Sequence, residues 1–293
     1  VADTSDCAGH GTFDPHPHNT PCLDTWRHHP EWFVCKPTSC DAAVCPAQFP
    51  CTLAEVNKTY NSQPCWSNLS LQQTMTSNVL KVLRQQPNAT IVAVIEMDGS
   101  PVQCPADGQA NREENTTGGA NYRAVQNIAR DVNKEFPEVK IMTQAYQGSV
   151  EPPSQLRFGD NVIVQLAYGG LMNKFLPLGD PENKELVDLV RAWTKVVPTL
   201  YVWAPSVNFE NTLLPIGNYF TQPEQIKGLV NLSIKGYYAE GSPHPGVDMI
   251  EPSRNRSGVV ITPATFGNFR LSVRSRSVRG KTSGTSMSTS LSL

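Results

Sequence analysis

From residue 139 to residue 170 the chain reads VKIMTQAYQGSVEPPSQLRFGDNVIVQLAYGG, an apolar run, a proline-marked loop and a second apolar run. Each run closes on the same dipeptide, Ala145-Tyr146 and Ala167-Tyr168. The pattern continues on both sides. Apolar strand runs are expected over 90–97, 139–146, 161–168, 199–205 and 235–241, and amphipathic helices over 69–86, 121–136, 181–196 and 222–234. Prolines punctuate the helices: Pro87 and Pro137 follow two of them, and Pro181 opens a third. The stretch from Asp98 to Gly119 reads as a polar, Gly-rich loop. Strands alternating with helices predict a parallel sheet closed or covered by helices, with functional side chains where the strands end.

The expected fold is α/β, a TIM-like (β/α)-barrel. An eight-stranded barrel takes about 250 residues, and the barrel-like part of this chain supplies five strands, with His10–Phe13 as the end of one more. Either the first strands precede Val1 or the sheet is open; in the former case a missing segment or another chain completes the barrel. Three regions are expected: a Cys/His/Pro-rich, disulfide-tied stretch with an early barrel strand (1–67), the barrel portion (68–250), and a basic Ser/Thr-rich tail (251–293) that is low in complexity over 282–293.

Composition narrows the setting. The 293 residues are 39% hydrophobic and 17% charged, enough for a packed core under a lightly charged surface. The net charge of −2 hides an asymmetry: residues 252–293 carry seven basic side chains and no acidic ones. Basic residues in such a tail do not form the folded basic face of a nucleic-acid binder, so no nucleic-acid partner is expected. Seven of the eight cysteines, Cys7, Cys22, Cys35, Cys40, Cys45, Cys51 and Cys65, fall in the first 65 residues, and Cys104 follows. Six Asn-x-Ser/Thr sequons stand at Asn57, Asn68, Asn88, Asn115, Asn231 and Asn255. An even cysteine count with many acceptor sites predicts a secreted or lumenal glycoprotein whose cysteines are paired. No apolar run reaches the roughly 18 residues of a membrane span. The chain starts without Met or a signal peptide and is expected to be processed or a fragment.

Several strand ends carry chemistry. Alternation along 90–97 sets Val92, Val94, Glu96 and then Asp98 on one face, so two carboxylates arrive together before a loop. Such a pair suits acid/base work or sugar binding; Asp98-Gly99 is also an ordinary turn dipeptide. Glu240 ends the last strand run, where a barrel enzyme would carry a general acid, although a solvated loop carboxylate would read the same way. Tyr146, Tyr168, Tyr201, Trp203 and Tyr238, with Gln144, Gln147 and Asn208, lie at or near strand ends. Aromatic faces combined with amides and carboxylates match sugars; the plainer reading is core filling. The histidines His10, His16, His18, His28 and His29 lack zinc-type spacing with the cysteines, so no metal is expected. No Walker loop, GxGxxG or Gly-x-Ser-x-Gly is present, and no cofactor is expected.

These pieces resemble the DUF4838 family, uncharacterised carbohydrate-associated proteins near the β/α-barrel glycoside hydrolases. HGTF at 10–13, HHPEWF at 28–33, QPCWSNLSLQQ at 63–73, EMDGSPVQCP at 96–105, QAYQGSVEPP with DNVIVQL at 144–166, LYVWAPSVNFENTLLP at 200–215 and KGYYAEGS at 235–242 match its pattern in order, over roughly residues 8–248. The chain departs in its single cysteine after the Asp-Gly, in lacking the leading barrel strands, and in its Arg/Ser-rich tail. The resemblance implies a barrel glycosidase or a glycan-binding relative, with Asp98 and Glu240 as the carboxylates and His10, Tyr146 and Trp203 lining a pocket. The leading expectation is hydrolysis of a glycosidic bond in a polysaccharide or glycoprotein glycan. Glu240 is then the proton donor, Asp98 the base, nucleophile or orienting group, and Glu96 its substitute. Gln144, Asn208 and Tyr168 join the substrate-binding set. Carboxyl groups about 5 Å apart would retain anomeric configuration and those about 6.5–9.5 Å apart would invert it. The alternative is a non-catalytic glycan-binding or structural extracellular glycoprotein derived from such a barrel.

Overall fold

The computed structural model describes residues 28–35, 50–51, 62–96, 103–168, 172–205, 217–218, 220–240 and 259–261. A 3₁₀ turn, Pro30–Trp32, leads into a two-stranded antiparallel ribbon of β1 (Phe33–Cys35) and β2 (Ser62–Pro64). The chain then runs α1 (Leu69–Gln85), β3 (Ile91–Ala93), α2 (Asp107–Glu114), α3 (Gly119–Asn133), β4 (Lys140–Tyr146), β5 (Val162–Ala167), α4 (Lys184–Trp193), β6 (Thr199–Pro205), α5 (Gln222–Asn231), β7 (Gly236–Glu240) and β8 (Val259–Ile261). From β3 onward the strands are hydrogen-bonded in chain order. The first five are parallel and β8 runs antiparallel to β7. In-order parallel strands joined by helices are the pattern of a β/α barrel wall. Among the described residues the order is open, from β3 to β8, so the closed barrel is not seen and a partial one fits.

The chain divides into two compact units, Val1–Gln165 with Lys195–Thr199, and Leu166–Thr194 with Leu200–Leu293. In the first, α1 buries Leu71, Met75, Val79 and Leu83, one residue per turn on a single stripe. Asn68 starts it by accepting the Leu71 N–H at 3.1 Å. α3 buries Tyr122, Val125, Ile128, Ala129 and Val132, and it packs on both α1 and β4. Residues alternate along β4, with Ile141, Thr143 and Ala145 buried and Gln144 and Tyr146 half-buried on the opposite face. Each fully buried aliphatic side chain contributes about 1.5–3 kcal/mol.

In the second unit α4 buries Leu186, Leu189, Val190 and Trp193, and β6 buries Leu200, Val202 and Ala204. Gln225 on α5, 2% exposed, donates to the carbonyls of Leu176 (2.6 Å) and Lys174 (3.1 Å), which ties down the loop 172–180. Asn183 donates to the Pro177 carbonyl at 2.8 Å in the same loop.

Three expectations change. The strand expected over 90–97 is regular only over Ile91–Ala93, because β3 has a single neighbour and its Ile91 is 41% exposed; the backbone still bonds once more, Val94 N–H to Met142 carbonyl at 2.8 Å. The expected loop Asp98–Gly119 contains the helix α2. Its inward residues are Asp107, Ala110, Asn111 and Glu114, mostly polar, so no apolar stripe announces it. The basic tail holds β8, which pairs Val259 with Ala239 and Ile261 with Tyr237.

Candidate functional site

The described site in the first unit centres on Glu96, three residues beyond the carboxyl end of β3. Register pairs Val92 with Ile141 on β4, and beyond the strand end Asn121 of α3 approaches Glu96. The Ser149 hydroxyl donates to a Glu96 carboxylate oxygen. Ser149 sits in the turn Gln147–Ser149 after β4, where Gln147 takes a left-handed φ of 49°. Its oxygen also accepts the Tyr146 N–H at 3.2 Å and lies 2.9 Å from the Tyr146 carbonyl. The Tyr122 hydroxyl donates to the Ser149 carbonyl.

Burial pushes the Glu96 carboxyl up to about 7, against the Ser149 hydroxyl and Asn121, which favour the charged form. Asn121 is 2% exposed, and neither end of its carboxamide closes a hydrogen bond of normal geometry. Burial, and then the nearby Glu96 charge, raise the Tyr122 phenol well above its ordinary value. Chemically this is a carboxyl that carries its proton close to neutrality and sits at a strand end, the property of a general acid. The sequence singles out Glu96 but misses Ser149, Asn121 and Tyr122. The Ser follows a strand end, a cue available in QGS, whereas the α3 residues read only as core.

On β4, Gln144 donates to the Gln165 carboxamide oxygen at 3.0 Å, so these two amides share a face. Tyr146 ends that strand half-buried, its backbone engaged by Ser149.

In the second unit the Trp203 and Tyr238 rings, paired in register on β6 and β7, lie 4.7 Å apart and tilted by 54°. Both are half-buried. Glu240 holds the last position of β7, opposite Pro205. Tyr168 is 2% exposed and packed in the core, and burial followed by Tyr237 raises its phenol well above normal. Asp98, His10 and Asn208 lie outside the described residues.

The cysteines and sequons divide similarly. Cys35 and Cys51 form a disulfide, with Cα atoms 5.2 Å apart. Cys65 and Cys104 are buried with free thiols, in one cluster with Val34. Cys7, Cys22, Cys40 and Cys45 lie outside the described residues, as do Asn57 and Asn255. Asn88, Asn115 and Asn231 are exposed. Asn68 is half-buried, with its side-chain oxygen occupied by the Leu71 N–H and the Ser70 hydroxyl. His29 stacks on Trp32 at 3.8 Å and pairs with Glu31. Among the described residues no group of three His, Cys, Asp or Glu side chains could hold a metal ion. No helix among them is long and apolar enough to cross a membrane.

An α/β protein with five parallel strands and acidic residues at strand ends is the class these features define. The chain belongs to the DUF4838 family, a domain of unknown function, whose family model matches residues 9–254. No curated protein matches it.

Proposed function

We propose that the chain is an extracellular glycoside hydrolase acting on a polysaccharide or a glycoprotein glycan. The observation that carries this reading is Glu96, a carboxyl after a parallel strand whose affinity for its proton is raised to about 7. As general acid it gives that proton to the glycosidic oxygen as the bond to the anomeric carbon breaks. A second carboxylate then takes the proton of the attacking water or attacks the anomeric carbon itself. Asp98, two residues further along the chain, is the candidate for that role. Glu240, at the end of β7, is the other candidate proton donor. The half-buried Trp203 and Tyr238 rings offer apolar faces to the C–H side of a sugar, and the Cys35–Cys51 disulfide with exposed sequons suits an oxidising, extracellular setting.

The second reading is a glycan-binding or structural glycoprotein without turnover. It draws on the Ser149–Glu96 bond, which also has a purely structural use in tying the 147–149 turn to β3. The test is release of sugars from a broad panel of polysaccharides and glycoprotein glycans by the native chain, Glu96→Gln and Glu240→Gln. Release by the native chain, lost in Glu96→Gln, is expected. Loss in Glu240→Gln alone would move the acid to β7. No release from a folded native chain that still binds glycan would establish the second reading.

A further inference from the structure

Cys65 and Cys104 stand 2% exposed each and form one buried cluster with Val34. The two side chains lie together in that cluster, and the Cys104 sulfur raises the pKa of the Cys65 thiol. Their backbones are held in place by contacts that do not involve sulfur. The Cys65 N–H donates to the Trp32 carbonyl at 2.8 Å and its carbonyl accepts from Asn68 at 2.9 Å. The Cys104 carbonyl accepts from Asp107 at 3.0 Å, and the Asp107 carboxylate accepts the Ser67 N–H at 2.8 Å. The approaches to α1 and α2 are therefore already fastened side by side, with one sulfur on each. The neighbouring Cys35, next to Val34 on β1, is itself oxidised in a disulfide. Two thiols left in contact beside a disulfide are not expected to stay reduced in an oxidising compartment.

We propose that Cys65 and Cys104 are joined as a disulfide in the mature protein, enclosing residues 66–103. The bond forms by exchange with an external disulfide of the oxidoreductase or glutathione type. One thiolate attacks that disulfide to give a mixed disulfide, and the second thiolate displaces the oxidant's remaining sulfur. The chain loses two thiol protons and two electrons, and the oxidant leaves as two thiols. The Cys104 sulfur and then burial hold the Cys65 thiol protonated in the folded chain, so the exchange belongs to folding, before α1 and α2 close over the pair. Once made, the bond is shielded from reductants by the same burial.

This assignment rests on the extracellular setting proposed above, not on any catalytic role. The test is peptide mapping of the whole secreted chain, alkylated in denaturant without reductant, stripped of glycans and digested. The expected product is a cross-linked pair of peptides containing Cys65 and Cys104, two hydrogens lighter than their sum and separated by reductant. A Cys65→Ser chain is expected to expose Cys104 as a newly alkylated thiol, leaving the Cys35–Cys51 link in place. Alkylation of both Cys65 and Cys104 in the native chain, or recovery of either in a link to a different cysteine, would overturn the assignment.

Discussion

The Ser149 hydroxyl lies between the Glu96 carboxyl and the Tyr146 carbonyl, and it has one proton for two acceptors. With Glu96 ionised, Ser149 donates to the carboxylate. With Glu96 neutral, the carboxyl can donate to Ser149 and free its proton for the Tyr146 carbonyl 2.9 Å away. The protonation state of Glu96 thus selects how the turn after β4 is bonded. Ser149→Ala removes a donor that favours the charged form, so the Glu96 carboxyl should titrate higher than about 7. Carbon-13 NMR titration of the labelled glutamate carboxyls measures this. A Glu96 titration that stays where it was or moves down would show that Ser149 does not hold the charge.

Stability should depend on pH with opposite signs from two glutamates. The Glu96 carboxyl is raised from an ordinary 4.5 to about 7, so its contribution is fully present below about 4.5 and is lost as pH rises through 7. Glu114 behaves the other way. Burial opposes its charge, but the N–H groups of Gln155 and Leu156, each 2.9 Å away, and Arg123 at 2.7 Å outweigh that and lower its pKa. Its contribution is present above about 4.5 and lost as pH falls below. Urea melts should therefore be most stable near pH 4.5, with stability falling on the alkaline side through 7 and on the acid side below 4.5. Glu96→Gln should abolish the decline on the alkaline side, a gain of about 3 kcal/mol at pH 8. A melt equally pH-dependent in the variant would remove Glu96 as the cause.

Where the hydrophobic pattern carried the signal, the elements were legible. The strand over Thr199–Pro205 has the limits that its residues predict, and β4, β5, α1 and α5 differ from expectation at their ends. These segments are buried by apolar side chains at strand or helix spacing. α2 was not legible because Asp107, Asn111 and Glu114 turn inward; Asp107 and Glu114 are held by hydrogen bonds from distant parts of the chain, Asn111 by Ala120 nine residues on. β8 was hidden because three residues of Val-Val-Ile in a basic Ser/Thr-rich tail gain their meaning from β7. Glu96 could be picked from its place after a strand. Its buried surroundings come from α3 and the 147–149 turn, which are dozens of residues away, and no local pattern encodes them.

Gly118 is required by close packing, not by its backbone angle. A Cβ there would stand 2.7 Å from the Tyr122 ring and 2.8 Å from the Ser149 Cβ. Both neighbours are buried and serve the Glu96 site. Gly118→Ala should destabilise the chain by about 1–3 kcal/mol and push Ser149 from Glu96, so that sugar release falls more than the loss of folded protein explains. Thermal melting alongside turnover per folded molecule separates the two effects. An unchanged melting temperature would show that the turn yields freely.

Trp203 tests the sugar-binding part of the proposal apart from the acid. Its indole is half-buried and packed against Tyr238 across the β6–β7 pairing. A sugar ring that stacks there gains from the aromatic face, not from any one polar group. Trp203→Phe keeps an aromatic face and should keep most of the affinity. Trp203→Ala should weaken glycan binding about tenfold, equivalent to about 1.4 kcal/mol. Isothermal titration with a soluble oligosaccharide that the native chain binds, with circular dichroism to check folding, makes the comparison. Equal affinity in native, Phe and Ala chains would mean that the ring pair is only packing, and the search for the sugar contact would move to Gln144 and Tyr146 on β4.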